Sequence, residues 1–270
     1  MSNLQLRVIS GIVMAVVVLG LTWLGGLPFR VLSSAISLAI FYEWCAMSRT
    51  EANGAHQWFS AALLAVVLLA LLGGLPAGGV LLALAGAVLV SAGFGLVRGQ
   101  GNWTAAGLAY AGLSGISLAF LRGSGQTGLI AVLFLFAVVW ATDILAYFVG
   151  RAVGGPKLAP SISPGKTWSG AIGGTACGVA AGLAVAVWAG ASLLVILPVA
   201  ILLSVISQIG DLFESWVKRR HGVKDSSHLI PGHGGVMDRV DGLVAAAFAL
   251  YFIGMLLGGV ADPVGGLFPR

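Results

Sequence analysis

Apolar runs of about 20 residues recur from one end of the chain to the other, parted by short segments that collect the charges, glycines and prolines. A run of that length crosses a hydrocarbon core of roughly 30 Å as a helix. The breaks place spans near 8–25, 30–47, 57–73, 78–97, 104–121, 128–149, 168–188, 191–213 and 242–260. The pattern therefore predicts an all-α integral membrane protein with about nine transmembrane helices and no soluble domain. The first run, from about Val8, has the position of a signal peptide. It lacks a small-x-small cleavage site and further spans follow, so it reads as a retained helix. Residues 1–125 are expected to form N-terminal helices and 126–270 a catalytic region whose motif loops cover 150–167 and 214–241.

Composition agrees with this reading. Of 270 residues, 59% are hydrophobic and only 9% charged, against roughly 25% charged in a soluble domain. The 41 glycines would weaken helices in water, but in a bilayer small residues let backbones approach closely. The net charge of +5 sits in short loops beside spans, which suits anionic head groups or a phosphorylated substrate and not nucleic acid. With the N-terminus cytoplasmic, that side collects Arg7, Arg49, Arg98, Arg151, Lys157, Lys166, Lys218, Arg219, Arg220, Lys224 and Arg239, eleven of fourteen basic residues. Arg30, Arg122 and Arg270 fall opposite, so the positive-inside rule predicts N-terminus in and C-terminus periplasmic. Cys45 and Cys177 lie inside spans, far from any metal-ligand spacing, and imply neither a disulfide nor zinc.

The chemistry concentrates late in the chain. Six of nine acidic residues fall between 143 and 241: Asp143, Asp211, Glu214, Asp225, Asp238 and Asp241. A carboxylate at membrane depth is costly unless it pairs, binds a cation or meets water, and Asp143 is the deepest. Ser204, Gln208, Asp211 and Ser215 line one face of the eighth span, either as interhelical hydrogen-bonding groups or as the wall of a site. Asp238 and Asp241, three residues apart, would repel in a helix unless a divalent cation lay between them; helix capping is the plain alternative. Oxygen donors of this kind suit Mg²⁺.

The segment from Gly150-Arg151 through Lys157 to Ser163-Pro-Gly-Lys166-Thr167 supplies glycines, cations and hydroxyls ahead of a helix, as a phosphate site needs. It is not a Walker A loop, whose first glycine would fall on Pro160. Gly170, Gly174, Gly178 and Gly182 form a small-residue helix face for close packing. His221, His228 and His233 match no helical metal spacing.

The run Ser215-Trp-Val-Lys218-Arg219, then Lys224-Asp225-Ser-Ser-His-Leu-Ile-Pro-Gly-His233-Gly-Gly-Val-Met-Asp238-Arg239-Val-Asp241, resembles the signature of phosphatidate cytidylyltransferases. Asp143-Ile-Leu-Ala-Tyr147-Phe-Val-Gly150-Arg151 and the Lys157 to Thr167 segment resemble the same family. Ser169 departs from it, since many members carry Glu there. The resemblance implies attack by the phosphate of phosphatidic acid on the α-phosphorus of CTP, giving CDP-diacylglycerol and pyrophosphate. Alignment and charge neutralisation, and no protein nucleophile, would drive such a step.

Carried over, the resemblance makes Asp211, Asp238 and Asp241 metal ligands for Mg²⁺ and allows a second cation such as K⁺. It assigns catalysis to Asp143, Lys166, Lys224, Asp238, Arg239 and Asp241. Substrate binding falls to Lys157, Ser163, Lys166, Thr167, Ser215, Lys218, Arg219, Lys224, His233 and Arg239. The expected setting is a bacterial inner membrane with the site facing the cytoplasm, the bilayer as partner, and room for a homodimer. Three other readings compete. A transporter would show inverted repeats, which are not seen. A CTP-dependent lipid kinase would release CDP. A CDP-alcohol phosphotransferase shares Asp-x-x-Asp-Gly at Asp238 to Gly242 but needs a downstream Asp pair, and only Asp262 remains.

Overall fold

The computed structural model describes residues 3–50 and 52–268. Arg270, counted above on the far side, lies outside them. Among the described residues nine helices are long and apolar enough to cross a membrane. They are α1 (Asn3–Leu24), α2 (Gly26–Met47), α3 (Gly54–Leu72), α4 (Ala77–Val97), α5 (Trp103–Arg122), α6 (Gln126–Val153), α7 (Trp168–Trp188), α8 (Leu193–Arg220) and α9 (Met237–Gly258). The nine spans read from hydropathy are all present, and the chain is an all-α, multi-pass membrane protein.

Several ends differ from the reading, with α1 beginning at Asn3, α2 at Gly26 and α6 ending at Val153 among them. α8 continues through Arg220, past 213, and α9 begins at Met237, ahead of 242. Charge marks where hydrocarbon stops, but it does not end a helix. The Glu214–Lys218 ion pair, one turn apart at 2.6 Å, is the kind of contact that supports a helix beyond the apolar zone.

Leu82, Leu89, Val97 and Leu194 stand well exposed along these helices. In water such side chains would be a liability; in a bilayer they meet acyl chains. Exposed Trp23, Trp58, Trp168 and Trp188 sit near helix ends, where an amphipathic ring suits the interface.

The chain forms two compact units. The first holds residues 1–120 together with 221–239. In it α1, α2, α3 and α4 pack in sequence order. Trp44 is buried, stacks on Trp103 at 4.7 Å between ring centres, and donates from Nε1 to the Trp103 carbonyl at 3.0 Å. A polar seam joins α3 to α4: His56 Nε2 lies 2.9 Å from the Ser91 carbonyl and the Ser60 and Ser91 hydroxyls are 2.7 Å apart. Such interhelical bonds replace the missing hydrophobic drive between helices in lipid.

The second unit holds 121–220 and 240–270. Gly170, Gly174, Gly178 and Gly182 are all buried on α7, confirming the packing role expected of that face. A Cβ at Gly174 would come within 2.7 Å of both the Ala146 Cβ and the Thr142 carbonyl of α6. α6 ends at Gly154, whose φ of 69° is the left-handed stop that glycine adopts without cost. Residues 157–167, read from sequence as a loop, then form an antiparallel hairpin of β1 (Lys157–Ala159) and β2 (Ser163–Thr167). Thr167 closes it by capping α7, its Oγ1 accepting from the Gly170 N–H at 3.2 Å. The cap fixes where β2 ends and so where Lys166 projects.

Candidate active site

Within the second unit α6, the hairpin, α7 and α8 enclose a cavity of about 710 Å³. Asp143 on α6, Lys157 on β1, Ser163, Lys166 and Thr167 on β2, and Asp211 on α8 all line it. These residues lie up to 68 positions apart in the chain, from Asp143 to Asp211. They meet because the α6–α7 glycine seam seats the hairpin beside both of these helices, and Lys166 of β2 reaches Asp211 of α8.

Lys166 Nζ makes an ion pair with Asp211 Oδ2. Ser215 Oγ, one turn on, donates weakly to Asp211 Oδ1 at 3.4 Å. Asp241 on α9 interacts electrostatically with Asp211, Asp143 and Lys166, and its Oδ1 accepts the Gly242 N–H at 2.7 Å. Three carboxylates thus share one ammonium in this part of the unit. Their donors are all hard oxygens, the kind a divalent cation such as Mg²⁺ takes. Among the described residues no three His, Cys, Asp or Glu side chains already stand close enough to hold an ion. Mg²⁺ does not ask for such a cage, since it keeps waters and takes one or two carboxylates beside substrate phosphates.

The polar stripe on α8 divides by depth. Ser204 Oγ meets Thr142 Oγ1 at 2.8 Å and Gln208 Nε2 donates to Thr175 Oγ1 at 2.9 Å, which is interhelical bonding. Gln208 and Asp211 also reach the cavity, so the two readings of the stripe hold at different levels. Lys218 turns to buried Glu214, and Arg219 is exposed in the last turn of α8. Two further cavity residues stood outside the assigned site set: Tyr147, quoted only within a motif, and Arg151, counted among the cations of the phosphate-binding segment; a 2.9 Å bond runs from Arg151 Nη1 to the Tyr147 hydroxyl. Arg151, Lys157 and Lys166 give the cavity three cations against Asp143 and Asp211.

A second, apolar cavity of about 670 Å³ runs between α7 and α8. Trp168, Ile172, Val179, Val205 and Leu212 line it, and it shares Leu158, Ala171 and Gln208 with the first. The two cavities thus adjoin across shared lining residues, the first carrying the charged groups and the second lined mainly by apolar side chains.

The remaining expected residues belong to the first unit. Lys224 and Arg239 are exposed, and Arg239 Nε donates to the His233 carbonyl at 3.1 Å. His233 Nδ1 lies 2.8 Å from Ser10 Oγ on α1. Asp238 Oδ2 accepts from Ser226 N at 2.9 Å, Ser226 Oγ at 2.9 Å and Gly235 N at 2.8 Å. Asp238, in the first turn of α9, thus reaches back to three donors of the loop that precedes the helix. His221 packs against Trp103 at 5.1 Å. The cysteines are free. One buried charge was passed over altogether: Glu43 on α2, fully buried and bonded to this loop. A lone Glu inside an apolar run was the available signal.

A sequence model of the cytidylyltransferase family matches residues 5–257. The chain is 54% identical over 268 residues to a phosphatidate cytidylyltransferase of Brucella abortus, covering 95% of each. It is 48% identical over 134 residues to a protein of that name from Haemophilus influenzae, 46% of each chain. A third, from Staphylococcus saprophyticus, is 42% identical over 145 residues, 53% of this chain and 55% of the other.

Proposed function

The chain belongs to the cytidylyltransferase family, and from that premise we infer that it is a phosphatidate cytidylyltransferase, converting CTP and phosphatidic acid to CDP-diacylglycerol and pyrophosphate. The observation that carries this is the 54% identity to a protein of that name over 95% of both chains. The adjoining cavities support it, since the cations Arg151, Lys157 and Lys166 of the first suit phosphate groups and the apolar wall of the second suits acyl chains.

In this reading a phosphate oxygen of phosphatidic acid attacks the α-phosphorus of CTP, the bond to the β-phosphate bridging oxygen breaks, and pyrophosphate leaves with its electron pair. The attacking phosphate is already ionised near neutral pH, so no protein base is required. Lys166 neutralises phosphate charge, held ready by Asp211; Arg151, steadied by Tyr147, and Lys157 add to the same field. Ser163 and Thr167 offer hydroxyl donors at the hairpin. Lys224 and Arg239 are the cations of the signature loop. Asp211 and Asp241, with Asp238, are the proposed holders of Mg²⁺, which when bound would neutralise charge on the transferring phosphates; K⁺ is the proposed second cation.

The charge distribution supports an N-terminus in the cytoplasm and a site facing it, in a bacterial inner membrane. The decisive assay supplies purified protein in detergent with labelled CTP, phosphatidic acid and Mg²⁺. CDP-diacylglycerol and pyrophosphate are the expected products. Release of CDP with a phosphorylated lipid would instead identify a lipid kinase.

A further inference from the structure

Glu43 is fully buried on α2, and both of its oxygens are taken by the signature loop. Oε1 accepts from Ser227 Oγ at 2.6 Å and from the Val236 N–H at 2.8 Å. Oε2 accepts from Ser226 Oγ at 3.0 Å and from the Met237 N–H at 2.7 Å. Four donor groups, all at least 183 positions away in the chain and one of them the Ser226 hydroxyl shared with Asp238, thus compensate a charge that is costly to bury alone. The Val236 and Met237 N–H groups lie at the start of α9, where a carboxylate also meets the positive end of the helix.

The same loop grips Asp238. The Ser226 hydroxyl lies within 3.0 Å of Glu43 Oε2 and 2.9 Å of Asp238 Oδ2, so one O–H stands between two carboxylates. All three bonds to Asp238 fall on Oδ2, which fixes the rotation of that carboxylate. Gly235 lies in this grip, and any Cβ there would stand 2.5 Å from Glu43 Oε1 and 2.7 Å from its carboxyl carbon. A plain helix cap needs one or two N–H groups. Glu43 also takes both serine hydroxyls, and one of them passes its orientation on to Asp238.

We propose that Glu43 is a positioning residue for cytidylyl transfer, a buried carboxylate from the N-terminal helices that sets the conformation of the 226–237 loop and, through Ser226, the orientation of Asp238. The proposal rests on the transfer reading above. Its logic is that of a supporting group that orients a ligand without touching substrate. Because it acts on alignment, its loss should appear in turnover more than in ground-state binding.

The test is Glu43→Gln in the full-length protein. Glutamine keeps the shape but brings an NH₂ group against two of the four donors. Expected are a kcat lower by about tenfold or more with the KM for CTP within about twofold, and faster hydrogen exchange confined to 226–237 while α3 and α5 keep their protection. Ser227→Ala, which removes one donor, should lower kcat by roughly three- to tenfold, and the two changes combined should cost less than their product. If Glu43→Gln does not accumulate as folded protein, Ser227→Ala alone decides: an unchanged rate and unchanged exchange overturn the proposal. It is equally overturned if Glu43→Gln turns over normally, or if protection is lost throughout α2 to α5, which would make Glu43 a general fold-stabilising group. Wild-type protein in the same assay separates the two levels, because its failure to form CDP-diacylglycerol would remove the transfer reading while the exchange result still reports on the loop.

Discussion

Asp241 and Asp238 lie three residues apart on one helix and are held in unlike ways. Asp241 takes the adjacent Gly242 N–H and shares a field with Asp143, Asp211 and Lys166, whereas Asp238 ties three donors of the loop. Asp241→Asn keeps size and cap chemistry but removes a ligand charge, so turnover should fall by about 10²-fold or more with an unchanged thermal midpoint in detergent. Near-normal turnover would end the metal role. Asp238→Ala should also lower stability, by roughly 1–3 kcal/mol, because donors of the loop lose their acceptor; a thermal midpoint equal to wild type would show that these three bonds contribute nothing. The acids between 143 and 241 stood out from the sequence because charge is rare at membrane depth. Glu43 carries the same signal, yet nothing near it in the chain names its partners, since all four lie beyond position 225.

At the level of elements, the α6–α7 seam decides whether the hairpin can reach α8. Gly174→Ala should separate these helices, since its Cβ would meet the Thr142 carbonyl at 2.7 Å, and should cost roughly 1–3 kcal/mol. Gly86→Ala on α4, where nothing lies within 4 Å, is the control and should be neutral or slightly stabilising. Equal thermal midpoints for the two variants would show that the close approach carries no weight. The spacing of Gly170, Gly174, Gly178 and Gly182 announced this seam from sequence alone. The β1–β2 hairpin gave no such signal: Ser-Pro-Gly-Lys-Thr has little strand propensity. The hairpin forms because Gly154 stops α6 and Thr167 starts α7, leaving the segment between them to pair with itself.

For the molecule as a whole, sidedness is the open physical variable, and the charge count predicts a cytoplasmic signature loop. Ser226 is a poor reporter because it is buried; Leu229, half exposed, is a better one. In a Cys45→Ala, Cys177→Ala background, which should retain activity because neither thiol lines the polar cavity, Leu229→Cys should resist an impermeant thiol reagent in sealed cells and react once they are opened. Labelling from outside would overturn the orientation. Excess chelator should abolish activity of the same protein, and Mg²⁺ or Mn²⁺ should restore it; full turnover in chelator would remove the metal.

Hydropathy and charge by themselves determined the nine spans found among the described residues and singled out the stretch between 143 and 241 as the candidate for chemistry. A bilayer imposes length and polarity on each segment separately, so these properties can be read locally. The tertiary structure alone decided that Lys166 pairs with Asp211, that a cavity holding the charged groups adjoins an apolar one, and that Glu43 anchors a loop more than 180 residues away. Those contacts depend on which helix faces pack together, and lipid, being equally apolar on every side, leaves that choice to small-residue seams and buried hydrogen bonds.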